Sequence, residues 1–125
     1  MIYLDTHVVL WLCEGLVARL SKTARRLIEE NDLLISPMVR MELEYMYEIK
    51  RCSRASHLIV NELQSQIGMS VCDLPFDLVV RKATEIKWTR DPFDRLIVAN
   101  ASCRGLQLLT KDASIRRHTK LAIWN

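Results

Sequence analysis

The hexapeptide Arg90-Asp91-Pro92-Phe93-Asp94-Arg95, followed at once by the apolar run Leu96-Ile-Val-Ala-Asn-Ala, constrains this chain more than any other stretch. Asp91 suits a helix N-cap, because its carboxylate accepts from the otherwise unpartnered N–H groups of a first turn. Pro92 fits the first helical position, where no N–H is needed and φ is already set. Asp94 then falls in the first turn, where the helix dipole favours a negative charge. Capping explains Asp91 well and Asp94 only in part. Asp94 shares its helix face with Ile97, Val98 and Ala101, which belong in a core. A carboxylate set along an apolar face calls for a cation.

The rest of the chain reads as short apolar strands alternating with amphipathic helices. Met1-Ile-Tyr-Leu has the composition of a buried parallel strand, ended by Asp5-Thr6. Val8, Val9, Trp11 and Leu12 form a short helix stopped near Gly15, and Ser21 caps a second from Lys22 to Glu30. Leu33-Leu-Ile is the next strand. Ser36-Pro37 opens a helix to about Lys50, with Val39, Leu43, Met46 and Ile49 on its apolar side and Glu42 at the border of that stripe. After the basic turn Lys50–Arg54, a helix runs from Ala55 or Ser56 through Gln66 and stops at Gly68. Met69-Ser-Val-Cys is a third strand, and a helix from Phe76 to Ile86 turns Leu78, Val79 and Ala83 inward. The Asp91-capped helix extends to about Cys103, Leu106-Gln-Leu-Leu is a fourth strand, and a short helix carries Arg116-Arg117-His118. Leu121–Trp124 makes a last edge strand.

This alternation, without linkers or repeats, predicts one α/β domain over residues 1–125 with a mostly parallel sheet of four to five strands flanked by helices. Half of the residues are apolar, enough for a core at this length. Lys and Arg number 18 against 15 Asp and Glu, so binding to a polyanion is permitted rather than implied. Cys13, Cys52, Cys72 and Cys103 are widely spaced, without the C-x-x-C pairs of zinc or redox sites, and read as four buried free thiols in a reducing cytosol. The chain has no secretory leader and no run near the ~20 apolar residues that span a bilayer, which makes a soluble cytoplasmic protein the expectation.

In parallel sheets, ligands collect at the carboxyl ends of strands and at the adjoining helix starts. Asp5 and Asp112 fall there, and so does Asp94 if its helix begins at that edge. Capping accounts for Asp5, Asp91 and Asp112 one at a time, and Glu42 has the alternative of a surface ion pair. What capping handles badly is Asp5, Glu42, Asp94 and Asp112 all at equivalent places. Such a group repels itself unless it takes up protons or holds a hard divalent cation, Mg²⁺ or Mn²⁺.

Four segments in order, Ile2-Tyr-Leu-Asp5-Thr6-His7, Ser36-Pro37 leading to Glu42-Leu43, Arg90–Arg95 before Leu96-Ile-Val-Ala, and Leu109-Thr110-Lys111-Asp112, give the whole chain its resemblance to the VapC-type ribonuclease toxins of the PIN-domain family. The resemblance implies a metal-dependent endoribonuclease, the toxin half of a toxin–antitoxin pair. It implies one or two Mg²⁺ or Mn²⁺ ions, an RNA substrate, a small VapB-like antitoxin and a homodimer. The family's acids map onto Asp5, Glu42, Asp94 and Asp112 as metal ligands and catalytic carboxylates, with Asp91 as cap or outer ligand. Many members carry a further acid where this chain has Ser114, which implies a weakly held second ion.

Among the remaining polar residues, Thr6 either caps the first helix or bonds a metal-bound water or phosphate, and Thr110 orients Asp112 or does the same. His7 reads as structural or solvated. Arg95, Arg116 and Arg117 are candidate phosphate contacts, with solvated surface as the plain alternative. Trp11, Trp88 and Trp124 are core, interface or base-stacking platforms. Two competitors to the nuclease are a catalytically inert PIN-like module that binds RNA or protein, and a phosphorylated receiver domain. Against the latter, Leu4 precedes Asp5 where a receiver needs a second acid.

Overall fold

The computed structural model describes residues 1–125 as one α/β layer structure. Five strands, β1 (Ile2–Leu4), β2 (Leu33–Ile35), β3 (Ser70–Val71), β4 (Leu108–Leu109) and β5 (Ala122–Ile123), form a sheet in the order β3-β2-β1-β4-β5. Every pairing is parallel, so the expected mostly parallel sheet is wholly so. Parallel strands need crossovers, and the helices supply them: α1 (Thr6–Glu14), α2 (Lys22–Glu30), α3 (Pro37–Glu48), α4 (Ser56–Ile67), α5 (Phe76–Ala83), α6 (Pro92–Arg104) and α7 (Ala113–His118). A 3-10 turn, Val17–Arg19, bends the chain between α1 and α2.

Strand β1 is the centre of the sheet, with Tyr3 in register with Leu34 on one side and Leu108 on the other. Its three residues are all buried, as the unbroken apolar run required. The chain builds outward from β1 through β2 to β3, then returns to the far side of β1 with β4 and β5. The reversal falls between β1 and β4, the crevice where ligands enter sheets of this kind. Each main helix has its local reason. Ser21 and Ser36 accept from the first-turn N–H groups of Ala24 and Met38, and Gly68 and Gly105 end α4 and α6 at φ of 68° and 61°.

The structure departs from the sequence reading at several edges. Helix α5 stops at Ala83 rather than Ile86. Leu78 is exposed, because the inward stripe of α5 is Val79 and Ala83, four apart, and Leu78 lies one position round from it. Ile49 lies beyond the last turn of α3 and is also exposed. The third, fourth and fifth strands shrink to two residues each. All four cysteines are unpaired, but only Cys72 is buried; Cys13, Cys52 and Cys103 are half-buried on helices and a turn.

Tyr3 is the polar exception inside the core. Its hydroxyl donates to Cys72 Sγ at 2.9 Å and accepts from Asn100 Nδ2 at 3.3 Å, tying β1 to the end of β3 and to the buried face of α6. Burial, then the Cys72 contact, pushes the phenol up to about 12, so it stays neutral. Removing the hydroxyl leaves the buried Asn100 amide short of a partner. Tyr3→Phe is therefore expected to lower unfolding stability by about 1–2 kcal/mol, read as a shifted urea midpoint at unchanged slope.

Candidate active site

Four structural elements deliver carboxylates to the crevice beside β1. Asp5 leaves the carboxyl end of β1 and N-caps α1, its Oδ1 accepting from Thr6 N at 2.8 Å. Glu42 comes from the second turn of α3. Asp91 caps α6 by accepting from Phe93 N at 2.8 Å and Asp94 N at 3.4 Å, and Asp94 follows in the first turn. Asp112, just after β4, caps α7 by accepting from Ile115 N at 2.8 Å. All five line one cleft of about 480 Å³, together with His7, Val8, Trp11 and Lys111. For Asp5, Asp91 and Asp112 capping and site membership are thus the same placement seen twice: the helix start that each acid caps is what brings it to the crevice.

Two threonines fix the carboxylates. Thr110, fully buried, donates its hydroxyl to Asp5 Oδ2 at 2.5 Å and accepts from Asp112 N at 3.1 Å, so one side chain orients the Asp5 carboxylate and anchors the Asp112 backbone, after the paired strands β1 and β4. Thr6, also fully buried, donates its hydroxyl to Glu42 Oε1, joining α1 to α3. Ser114 is not on the cleft wall; its carbonyl faces His118 Nδ1 at 2.8 Å. Arg95 turns away from the acids, its Nε donating to the carbonyl of Ala83 on α5 at 3.3 Å. Arg116 and Arg117 stand exposed in the last turn of α7, outside the cleft wall.

The cleft is electrostatically strained as a set. Burial raises the Asp5 carboxyl above its ordinary value, against the hydrogen bonds from Thr110 and Thr6 N. Burial likewise raises Glu42, opposed by Thr6 and reinforced by Asp5. Asp94 is pushed up to about 7, first by burial and then by the charges of Asp91, Asp5, Asp112 and Glu42. Nothing donates a hydrogen bond to its carboxylate to offset this. Hard oxygen donors of this kind are the ligand chemistry of Mg²⁺ and Mn²⁺. No three acid, histidine or cysteine side chains close tightly enough to grip one ion directly.

His7, Trp11 and Lys111 were not selected from the sequence as site residues. Their signal was positional. Lys111 sits between Thr110 and Asp112, and Val8 and Trp11 lie three apart on the helix that Asp5 caps. Trp11 is 8% exposed, and Trp124 sets an edge against its ring. It is therefore core on one side and cleft wall on the other, with no open face for a base.

Comparison with known proteins is consistent across the whole length. The PIN domain family matches residues 2–121. Ribonuclease VapC22 of Mycobacterium tuberculosis is 31% identical over 120 residues, covering 94% of this chain and 91% of that protein. Among solved structures, VapBC2 from Rickettsia felis bound to a promoter DNA fragment matches with a TM-score of 0.67 at 19% identity over all of both chains. Mycobacterium tuberculosis VapC20, described as a toxin cleaving the sarcin–ricin loop, matches with a TM-score of 0.62 at 21% identity over 94% of each chain.

The raised Asp94 pKa fixes the sign of a pH effect. The folded protein holds its proton up to about 7, while the unfolded chain releases it near the ordinary 3.8. Between those values the folded state binds more protons, so this contribution to stability declines as pH rises from about 4 to about 7 and then levels off. In EDTA, Asp94→Asn is expected to be more stable than the parent at about pH 8 and nearly equal at about pH 4. The gap between 3.8 and about 7 sets an upper bound of about 4 kcal/mol, and partial solvation of the carboxylate keeps the gain below it. Urea unfolding at the two pH values measures it.

Proposed function

Because this chain belongs to the PIN-domain family, in its VapC branch, we propose that it is a divalent-metal-dependent endoribonuclease that hydrolyses RNA phosphodiester bonds. The observation that carries this reading is the convergence of five carboxylates from four elements on one cleft, where burial and then the other four acids push the Asp94 pKa up to about 7. A scaffold without chemistry has no use for such a set, which lowers its own stability.

In this reading Asp5, Glu42, Asp94 and Asp112 hold Mg²⁺ or Mn²⁺, as one or two ions, and Asp91 contributes from the cap of α6. A divalent ion bound there acidifies water and offers positive charge to phosphate oxygens. Thr110 holds the Asp5 carboxylate and the Asp112 backbone, Thr6 holds Glu42, and the Ile115 N–H holds the Asp112 carboxylate, so these three acids keep fixed orientations. Asp94 must shed its proton to take part, so ion binding tightens as pH rises through about 7. In the net reaction a water oxygen forms a new bond to phosphorus while one ester P–O bond breaks.

The same reading makes the chain the toxin half of a toxin–antitoxin pair, with a small VapB-like antitoxin as partner. Structural relatives described as VapBC complexes support it. Exposed Met41 and Tyr45 on α3, with Phe76 and Leu78 on α5, give apolar surface for protein contacts, including a homodimer.

Purified protein incubated with a mixed RNA pool and Mn²⁺ or Mg²⁺ tests the proposal. Cleavage is expected with either ion, none in EDTA, and a loss of roughly 10²–10³ in rate for Asp5→Asn and Asp94→Asn. Absence of cleavage together with absence of Mn²⁺ binding by calorimetry overturns the nuclease and leaves an inert binding module.

A further inference from the structure

The acidic cleft contains one amine, and none of the five carboxylates takes it. Lys111 lines the cleft with Asp5, Glu42, Asp91, Asp94 and Asp112, yet it forms no ion pair within 4 Å. Its Nζ lies instead 5.9 Å from the centre of the Trp11 ring. Arg19, the last residue of the 3-10 turn, sets its guanidinium at the same 5.9 Å from that ring, and it too has no acidic partner. The indole is well placed to hold them, since it is 8% exposed and braced by the edge of Trp124. Both cations are solvent-exposed at their own positions, so they stay accessible.

A lysine whose task was to neutralise the acids would sit against one of them. This one is held apart from them by a cation–π contact, at the cleft wall, with its positive charge unspent. An RNA strand entering the cleft brings more negative charge to a place already crowded with carboxylates. A fixed cation beside the acids lowers that barrier without competing for the acids' ion. We propose that Lys111, held on Trp11 beside Arg19, is the phosphate-contacting subsite that seats the RNA backbone in the acidic cleft. The inference rests on the ribonuclease reading. The contact is to phosphate and not to bases, because the Trp11 ring is covered by Lys111, Arg19, His7 and Trp124 and offers no stacking face. It adds affinity without sequence preference.

Fluorescence anisotropy with fluorescein-labelled oligouridylate and oligoadenylate, in EDTA over a series of KCl concentrations, tests it. Lys111→Met is expected to weaken binding of both oligomers by about fivefold to tenfold and Arg19→Met by about twofold to threefold. Each lost contact should flatten the slope of log affinity against log salt by about 0.7. Trp11→Phe, which keeps an aromatic face, should bind more nearly like the parent than Trp11→Leu, and Lys82→Met on α5 should bind as the parent does. Mn²⁺ affinity of Lys111→Met, by calorimetry, should equal or exceed that of the parent, which a general loss of folding would not give. If the parent binds RNA and Lys111→Met binds it with equal affinity and slope, the subsite is overturned and the ribonuclease reading stands. If the parent binds neither Mn²⁺ nor RNA, both are overturned together.

Discussion

The hydrogen bond from Thr110 to Asp5 is the point on which the site and the sheet meet. Thr110 follows β4 and Asp5 follows β1, the two strands that flank the reversal in strand order. The bond exists only if those strands are paired in their observed register, with Leu4 opposite Leu109. A shift by one residue would turn the threonine to the other face of the sheet and leave a buried carboxylate without its donor. The register is in turn held by burial of Ile2, Tyr3, Leu4, Leu108 and Leu109. Core packing therefore sets the orientation of the acid, and the acid makes a register slip costly.

From that bond the other carboxylates follow by local rules. Asp112 is placed by its own cap on α7 and by the backbone N–H that meets Thr110. Asp91 and Asp94 come with the start of α6, whose buried face of Ile97, Val98, Asn100 and Ala101 docks it on the sheet, partly through Asn100 and Tyr3. Glu42 comes with α3, and Thr6 ties it back to the helix that Asp5 caps. Three of the five acids are helix caps, so each removes unpartnered N–H groups at a helix start while adding one negative charge to the crevice. The fold gains local order and loses electrostatic stability at the same atoms.

Much of this was legible in the sequence because it is written in short-range chemistry. Asp-Pro before an apolar run is a helix start whatever surrounds it, and strand-like Ile2–Leu4 ends at an acid within the same few residues. The alternation of strands and helices gave a parallel sheet, and hence a crevice at the strand ends. Features that depend on which side of an element faces the core were harder to read. Leu78 is apolar but lies off the inward stripe of α5, and the half-buried Cys13, Cys52 and Cys103 differ from Cys72 only in tertiary placement. The pairing of Thr110 with Asp5, 105 residues apart, and the gathering of Lys111 and Arg19 on Trp11 are contacts that no local pattern encodes.

The distribution of charge within the cleft also separates two roles that a net charge conceals. Every acid but Asp94 is fixed by threonine hydroxyls or backbone N–H groups, neutral or dipolar donors that orient a carboxylate without cancelling it. Had arginines or lysines done the orienting, the carboxylates would be paired and low in pKa, with little left for a divalent ion. Lys111, the one amine present, is parked on an aromatic face rather than on an acid. The chain's modest excess of positive charge thus lies outside the ring of acids, and that separation keeps the cleft negative at its centre and positive at its wall. A polyanion and a divalent cation can be drawn to neighbouring points of one crevice only if those two charges are held apart.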